Sequence, residues 1–117
     1  MSRPGSRKTS GVEAHVGRKV AGWPFGRLDI DDEDLTVRSS PLPWIRPRSA
    51  GKQSIGDISL YRRWSLDHLG FADSADALSG VRLALPIRSK RIVNELRSRG
   101  YSVIDRRKKG LLPAYPD

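Results

Sequence analysis

Alternation of apolar and polar residues constrains the fold of this chain more than any other feature of its sequence. Leu28 and Ile30 alternate with charged residues, Leu35 and Val37 alternate with polar ones, and the acidic run 31–34 separates the two segments. A period of two on both sides of a polar turn is typical of a β-hairpin with one buried and one solvated face. The sequence therefore predicts such a hairpin here.

The same period indicates further strands later in the chain. Residues 55–64 and 81–87 alternate in this way, most clearly in the second segment, and 101–104 has the pattern of a short final strand. The prolines of 39–53 predict a loop with at most a short edge strand, because proline donates no hydrogen bond to a ladder. The polar segment 65–80 is predicted as a loop with at most one helical turn.

One segment near the C-terminus has a helical period. Its apolar stripe contains Ile92, Val93 and Leu96. We predict Ser89 as the N-cap, because its hydroxyl can accept a hydrogen bond from a free backbone N–H, and Gly100 as the left-handed residue that ends the helix. Glu95 and Arg99 have the spacing of a stabilising ion pair. Strands followed by one helix predict an α+β fold, a bent antiparallel β-sheet or small barrel capped by one C-terminal α-helix.

Large apolar side chains are concentrated after residue 20 and are nearly absent before it. Hydrophobic residues make up 37% of the 117-residue chain, which is low for a fully packed protein. A segment without large apolar side chains cannot offset the entropy cost of ordering. We therefore predict a basic disordered tail over 1–18, one β-rich domain over 19–104, and a basic, proline-containing tail over 105–117.

Cysteine content and hydropathy limit the cellular locations that the sequence supports. The chain has no cysteine, so it contains neither a disulfide nor a thiolate metal site. Its apolar runs are too short to span a membrane, and the basic N-terminal segment is not followed by the apolar segment of a secretory signal. These features favour a cytoplasmic location.

The formal net charge is +9, and the basic excess lies largely at the two ends of the chain. Basic ends commonly bind polyanions such as nucleic acid or an anionic membrane surface, but they also keep small proteins in solution. Both interpretations remain open from the sequence. The residues predicted for polyanion binding are Arg3, Arg7, Lys8, Arg18, Lys19, Arg106, Arg107, Lys108 and Lys109.

The sequence contains no motif that indicates catalysis. The acidic run that begins at Asp29 lacks the glycine and the glutamate that an EF-hand loop requires. Ser49 and Lys52 match a serine–lysine pair only within a loop rich in proline and glycine. His68 follows Asp67 and is predicted to be an ordinary surface histidine. We therefore expect no catalytic residue, no metal ligand and no cofactor, and a protein that is not an enzyme.

The tryptophans divide into two predicted groups. Trp23 and Trp64 fall in register with apolar strand positions and are predicted to lie in the core. Trp44 is flanked by prolines and arginines, which favours an exposed contact residue. Together with Arg46 and Arg48 it is predicted to bind a partner, because exposed aromatic and arginine side chains are enriched in interfaces.

Several segments resemble bacterial pleckstrin-homology-like (PH-like) domains. The segment 21–28 (AGWPFGRL), with the acidic turn and 35–38 (LTVR), resembles the first hairpin of this family. The segment 58–63 (ISLYRR) resembles the middle strand, and 92–103 (IVNELRSRGYSV) resembles the C-terminal helix and its exit. The resemblance covers about residues 20–104.

The resemblance implies a strongly bent β-barrel capped by one helix, and a binding or adaptor module without catalysis. The proline-rich 39–53 and the polar 65–80 depart from the family pattern, which puts the strand count and any phosphoinositide-type site in doubt. The first functional hypothesis is a module that engages a protein partner or a larger assembly. The alternatives are a protein associated with nucleic acid, in particular RNA or a ribonucleoprotein, and peripheral binding to an anionic membrane.

Overall fold

Eight β-strands and one α-helix form the part of the chain that the computed structural model describes, residues 7–42, 45–71 and 78–107. The elements are β1 (Lys8–Val16), β2 (Lys19–Ile30), β3 (Asp34–Ser39), β4 (Arg48–Gly51), β5 (Ile58–Arg63), β6 (Leu66–Gly70), β7 (Val81–Leu85), α1 (Ser89–Ser98) and β8 (Val103–Asp105). A 3₁₀ turn, Lys52–Ser54, follows β4. No helix in these ranges has the length and apolar character needed to cross a membrane.

The strands form one sheet in the order β4-β3-β2-β1-β7-β6-β5-β8. All neighbours are antiparallel except β5 and β8, which are parallel. The sheet curls into a half-barrel, and α1 covers its core with Ile92, Val93 and Leu96. The predicted fold class, a bent sheet capped by one C-terminal helix, is confirmed.

The predicted hairpin is formed by β2 and β3. Leu28 pairs with Val37 and Ile30 pairs with Leu35, and all four side chains are buried. The acidic run supplies the turn between the strands. The predicted strands in 55–64, 81–87 and 101–104 are present as β5, β7 and β8, and the short edge strand in 39–53 is β4.

The sequence predicted the C-terminal end of α1 correctly but not its N-terminal end. At the C-terminal end, Gly100 (φ +90°) donates to the Arg97 carbonyl at 3.0 Å, and Tyr101 donates to the Leu96 carbonyl at 3.1 Å. This is the Schellman motif, so the predicted role of Gly100 is confirmed. At the other end, Ser89 is the first helical residue and not the N-cap.

Two predicted irregular segments are strands in the structure. The predicted disordered tail 1–18 contains β1, whose inward side chains, Val12, Ala14 and Val16, are buried. The prediction of disorder rested on the lack of large apolar side chains, but burial of these three smaller ones against the core of the sheet accompanies an ordered strand. The predicted loop 65–80 contains β6. The ordered domain therefore includes β1 from Lys8, and residues 1–6 lie outside the described ranges.

The ordered C-terminal segment also extends beyond the predicted boundary at residue 104. Asp105 belongs to β8, and the Arg106 N–H donates to the Leu60 carbonyl at 2.8 Å. Arg107 forms ion pairs with Asp105 and Asp67. Residues 108–117 lie outside the described ranges.

Candidate functional site

The central strand β1 pairs differently along its two halves. Its second half, Glu13–Val16, pairs with β7, and the strand pairs with β2 along nearly its whole length. Lys8–Val12, the first half, pairs with β2 alone. Within the described residues, the other edge of Lys8–Val12 therefore has no strand beside it.

The path of the chain after β7 explains this open edge. Pro86 follows directly after β7 and has no N–H with which to continue a ladder. Ile87 and Arg88 then lead away into α1, and Arg88 adopts a left-handed conformation (φ 59°). The result is a groove of about 490 Å³ between the first half of β1 and the start of α1.

The groove has two walls. One wall is Lys8–Gly11 of β1 together with Trp23, Pro24 and Arg27 of β2. The other wall is Ile87 and one face of the helix start, formed by Arg88, Arg91, Ile92 and Glu95. Four consecutive β1 residues line the groove, so the groove exposes the edge of this strand as well as its faces.

A bulge in β2 brings Trp23 to the groove. Val12 pairs with Gly26, but Ala14 pairs with Ala21, so the residues 22–25 of β2 lie opposite a single β1 residue. A Cβ on Gly26 would lie 2.5 Å from the Val12 carbonyl oxygen, so only glycine fits there. The bulge leaves the Trp23 side chain 44% exposed.

The groove carries a net positive charge. Its basic side chains are Lys8, Arg27, Arg88 and Arg91. None of them forms an ion pair with another residue in the described ranges. The acidic side chain of the groove, Glu95, is paired with Arg99 at 2.6 Å. These four cations therefore line the groove together with the apolar and aromatic side chains Trp23, Pro24, Ile87 and Ile92.

Asp29 anchors the first half of β1 to its neighbours. Its carboxylate accepts hydrogen bonds from the Thr9 hydroxyl at 2.7 Å and from Arg38 Nε at 2.7 Å. Burial opposes ionisation of this carboxyl, but the hydrogen bonds from Arg38 and Thr9 and the charges of Arg38 and Arg7 outweigh burial and lower its pKa. An ionised, buried Asp29 thus holds one wall of the groove in place.

The residues predicted for partner binding lie elsewhere. Arg46 is exposed before β4, and Arg48, also exposed, is the first residue of that strand. β4 ends the sheet order three strands away from β1, so neither arginine lines the groove. Trp44 lies outside the described residues. The predicted contact of Trp44, Arg46 and Arg48 therefore stays a prediction.

The basic residues predicted for polyanion binding do not form one set. Lys8 lines the groove, whereas Arg18 and Lys19 are exposed at the β1–β2 turn. Arg106 Nε donates to the Ser59 hydroxyl at 3.1 Å, and Arg107 is paired with two carboxylates. Arg7 lies 3.9 Å from Asp31. The remaining members, Arg3, Lys108 and Lys109, lie outside the described residues.

His68 is buried, so its predicted surface position is wrong. The ring is 3% exposed, stacks on Tyr61 at 5.4 Å, and contacts the Leu66 carbonyl at 3.0 Å. Burial lowers the pKa of His68, and although the hydrogen bond with the Leu66 carbonyl opposes this effect, the nearby guanidinium groups of Arg82 and Arg63 lower the pKa further. Asp67 points to the opposite side of β6 and binds other donors, so it does not orient the imidazole. Within the described residues no group of three or more histidine, cysteine or acidic side chains could hold a metal ion.

Trp23 and Trp64 are exposed, so their predicted core positions are wrong. Trp64 is 74% exposed at the β5–β6 turn, where its φ is 52° and the Arg63 guanidinium lies 4.2 Å from its ring. Sequence reasoning also missed the groove. The available signal was Pro86 after the clearest strand, because a proline there ends the ladder and lets the chain turn away toward α1.

A chain of the solved Spt16D–Pob3N heterodimer is similar in structure to this protein. The TM-score is 0.54, the sequence identity is 9%, and the match covers 98% of this chain and 64% of that one. The fold is PH-like. At so low a sequence identity, the structural similarity establishes the fold alone. The protein spans less than two thirds of the length of that chain. No protein-family model and no curated protein sequence matches the chain.

Proposed function

We propose that this protein is a non-catalytic binding module that engages a protein partner through the groove between β1 and α1. One observation carries the proposal. Within the described residues, four cations without an intramolecular ion pair surround an exposed tryptophan beside an unpaired strand edge. The few residues that dominate the binding free energy of protein interfaces are enriched in tryptophan, tyrosine and arginine.

The similarity to a chain of the Spt16D–Pob3N heterodimer also supports a protein partner. That chain was solved in a heterodimer of Spt16D and Pob3N, so a chain with this fold assembles with another protein. We extend this property to the present chain as a proposal, together with the absence of catalysis. The predicted contact at Trp44, Arg46 and Arg48 would then be a second contact of the same module with a larger assembly.

Nucleic acid and anionic membrane remain the competing ligands. Both would rely on the basic residues at the chain ends, and their binding would fall steeply as salt rises, because each neutralised phosphate releases a counterion. The described members of that set favour a protein partner, because Arg106 and Arg107 already bind groups of the protein itself.

The test is affinity capture from a nuclease-treated lysate of the cells that encode the protein. The groove variant is Trp23→Ala with Arg91→Ala, and the matched control is Trp64→Ala, which removes an even more exposed tryptophan away from the groove. We expect one protein to be retained by the wild type and the control, and to be lost with the groove variant.

Two results would contradict the proposal. The first is an identical set of captured proteins for all three chains, which would place binding outside the groove. The second is capture that occurs from an untreated lysate but not from a nuclease-treated one, or binding of the protein itself to vesicles of anionic lipid and not of neutral lipid. Either would favour a polyanion ligand. Trp44→Ala, measured in parallel, tests the predicted second contact.

A further inference from the structure

We infer that the partner contributes an extended acidic segment, which adds to the sheet as a strand along the open Lys8–Val12 edge of β1. This inference rests on the proposed function and specifies the chemistry of its ligand. The motivating observation is that, among the described residues, the groove has an unpaired strand edge along one wall and two arginines without ion pairs, Arg88 and Arg91, along the other.

The open edge is long enough for a specific ladder. Five residues at about 3.3 Å each give an edge of about 17 Å. The backbone groups of such an edge are a template for an incoming strand. β5 offers no comparable edge, because it pairs with β6 on one side and with β8 on the other. β4 offers a shorter edge of four residues that directly follows Pro47.

The chemistry of an edge selects a polypeptide. The unpaired backbone of a strand presents donors and acceptors in alternation, and an extended peptide supplies the complementary series at the same spacing. Nucleic acid, phosphate and lipid headgroups supply acceptors for the arginines but no amide series for the edge. A ligand that satisfies both walls of the groove is therefore an extended peptide.

The two faces of the added strand would meet different side chains. Gly11 alternates with the buried Val12, so its Cβ position is on the outer face, where Trp23 Nε1 lies 3.7 Å from it. α1 lies on the core face with Arg88 and Arg91. Side chains of a strand alternate between its faces. The segment should thus carry acidic residues toward α1 and apolar residues toward Trp23.

The test uses a fluorescent peptide of about eight residues in which glutamate and valine alternate, long enough to cover the open edge. Two matched peptides have N-methyl groups on alternate amides, one peptide for each of the two registers, so that one of them lacks the donors of the ladder while both retain all charges. A fourth peptide has lysine in place of glutamate. Binding is measured by fluorescence anisotropy at low and physiological salt.

The matched protein variants are Arg91→Glu and Lys90→Glu. Both change the charge of an exposed α1 side chain equally, but Lys90 does not line the groove. Loss of a charge-assisted hydrogen bond corresponds to about a tenfold weaker affinity. We expect at least that loss for Arg91→Glu and for one of the methylated peptides, about a twofold change for Lys90→Glu, and no binding of the lysine peptide.

Hydrogen exchange provides the readout for strand addition itself. Amides of Lys8–Val12 should exchange more slowly with the unmethylated peptide bound, and exchange elsewhere in the sheet should change little.

The possible failures separate this inference from the proposed function. Equal affinity of both methylated peptides and the unmethylated one, or unchanged exchange in β1, would overturn strand addition. The groove would still be the binding site if the groove variant lost its partner. Absence of peptide binding would also overturn the inference. Equal weakening by Arg91→Glu and Lys90→Glu, or tighter binding of a single-stranded oligonucleotide of equal charge that requires Arg91, would overturn both.

Discussion

A single buried carboxylate, Asp29, holds the strands that form one wall of the groove. It lies 1% exposed on β2 and receives hydrogen bonds from β1 through Thr9 and from β3 through Arg38. A buried charge is tolerated when donors satisfy it, and removal of that charge leaves the donors unpaired. Asp29 therefore joins β1, β2 and β3 in the region where β1 pairs with β2 alone.

Asp29→Asn should reduce the free energy of unfolding at pH 7 by about 1.5–3 kcal/mol, the range for hydrogen bonds to a charged group. The folded pKa of Asp29 lies below its ordinary value of 3.8. The ionised carboxylate therefore contributes its full stability above about pH 4. This contribution is lost as the pH falls through the lowered pKa.

Urea unfolding of wild type and Asp29→Asn at pH 7 and pH 3 measures this difference. It should be largest at pH 7 and smaller at pH 3. Glu33→Gln is the control, because this exposed acid lies in the neighbouring turn. A difference that stays constant between the two pH values would show that the charge of Asp29 contributes nothing.

At the scale of elements, the β2 bulge sets the shape of the groove wall. It places residues 22–25 opposite one residue of β1 and turns Trp23 outward. The bulge requires close contact between the backbones of the two strands at Gly26. Gly22 within the bulge and Gly26 beside it therefore differ in the substitutions that they tolerate.

Gly26→Ala should destabilise the protein by about 2 kcal/mol or more, because the added Cβ would meet the backbone of Val12 and Ala14 at 2.5 and 2.9 Å. Gly22→Ala has no atom within 4 Å of the new Cβ, so it should range from no change to about 1 kcal/mol of stabilisation. Thermal and urea unfolding of both variants measure the contrast. Equal effects at the two positions would mean that β1 moves away without cost.

The same elements show what the sequence could predict. The β2–β3 hairpin, β7 and the end of α1 follow from local patterns: a period of two and a glycine at the C′ position. β1 and β6 were missed because their stability comes from neighbours. β1 buries only small side chains, and β6 contains Asp67 and His68, whose burial depends on residues distant in sequence.

The candidate site was harder to predict than the fold. Arg88 and Arg91 are visible in the sequence as part of the polar arc of the helix, which indicates only a solvated face. Their relation to Lys8 and Trp23 depends on where β7 separates from β1, and this is a property of the assembled sheet. The register of Trp23 with apolar strand positions was misleading for the same reason, because the bulge changes the side on which it lies.

At the scale of the whole molecule, Asp67 joins the sheet, the helix and the C-terminal segment. Its carboxylate, 8% exposed, accepts hydrogen bonds from Arg62 of β5, from Ser89 at the start of α1, and from Arg107 after β8. These three donors come from segments that are far apart in sequence. Asp67 thus fixes the helix start, and with it one wall of the groove, relative to the half-barrel.

Asp67→Asn should lower the free energy of unfolding by about 1–3 kcal/mol, because the neutral amide cannot satisfy all the donors that this buried carboxylate accepts from. Arg62→Ala is the control. Its side chain is 61% exposed, and exposed ion pairs contribute under about 1 kcal/mol.

Urea unfolding followed by tryptophan fluorescence and by circular dichroism measures both variants. Because the carboxylate joins separate parts of one core, we expect the two probes to report one shared transition. Separate transitions in Asp67→Asn, with α1 lost before the sheet, would instead mean that Asp67 fastens the helix locally, and that the groove can open without unfolding of the domain.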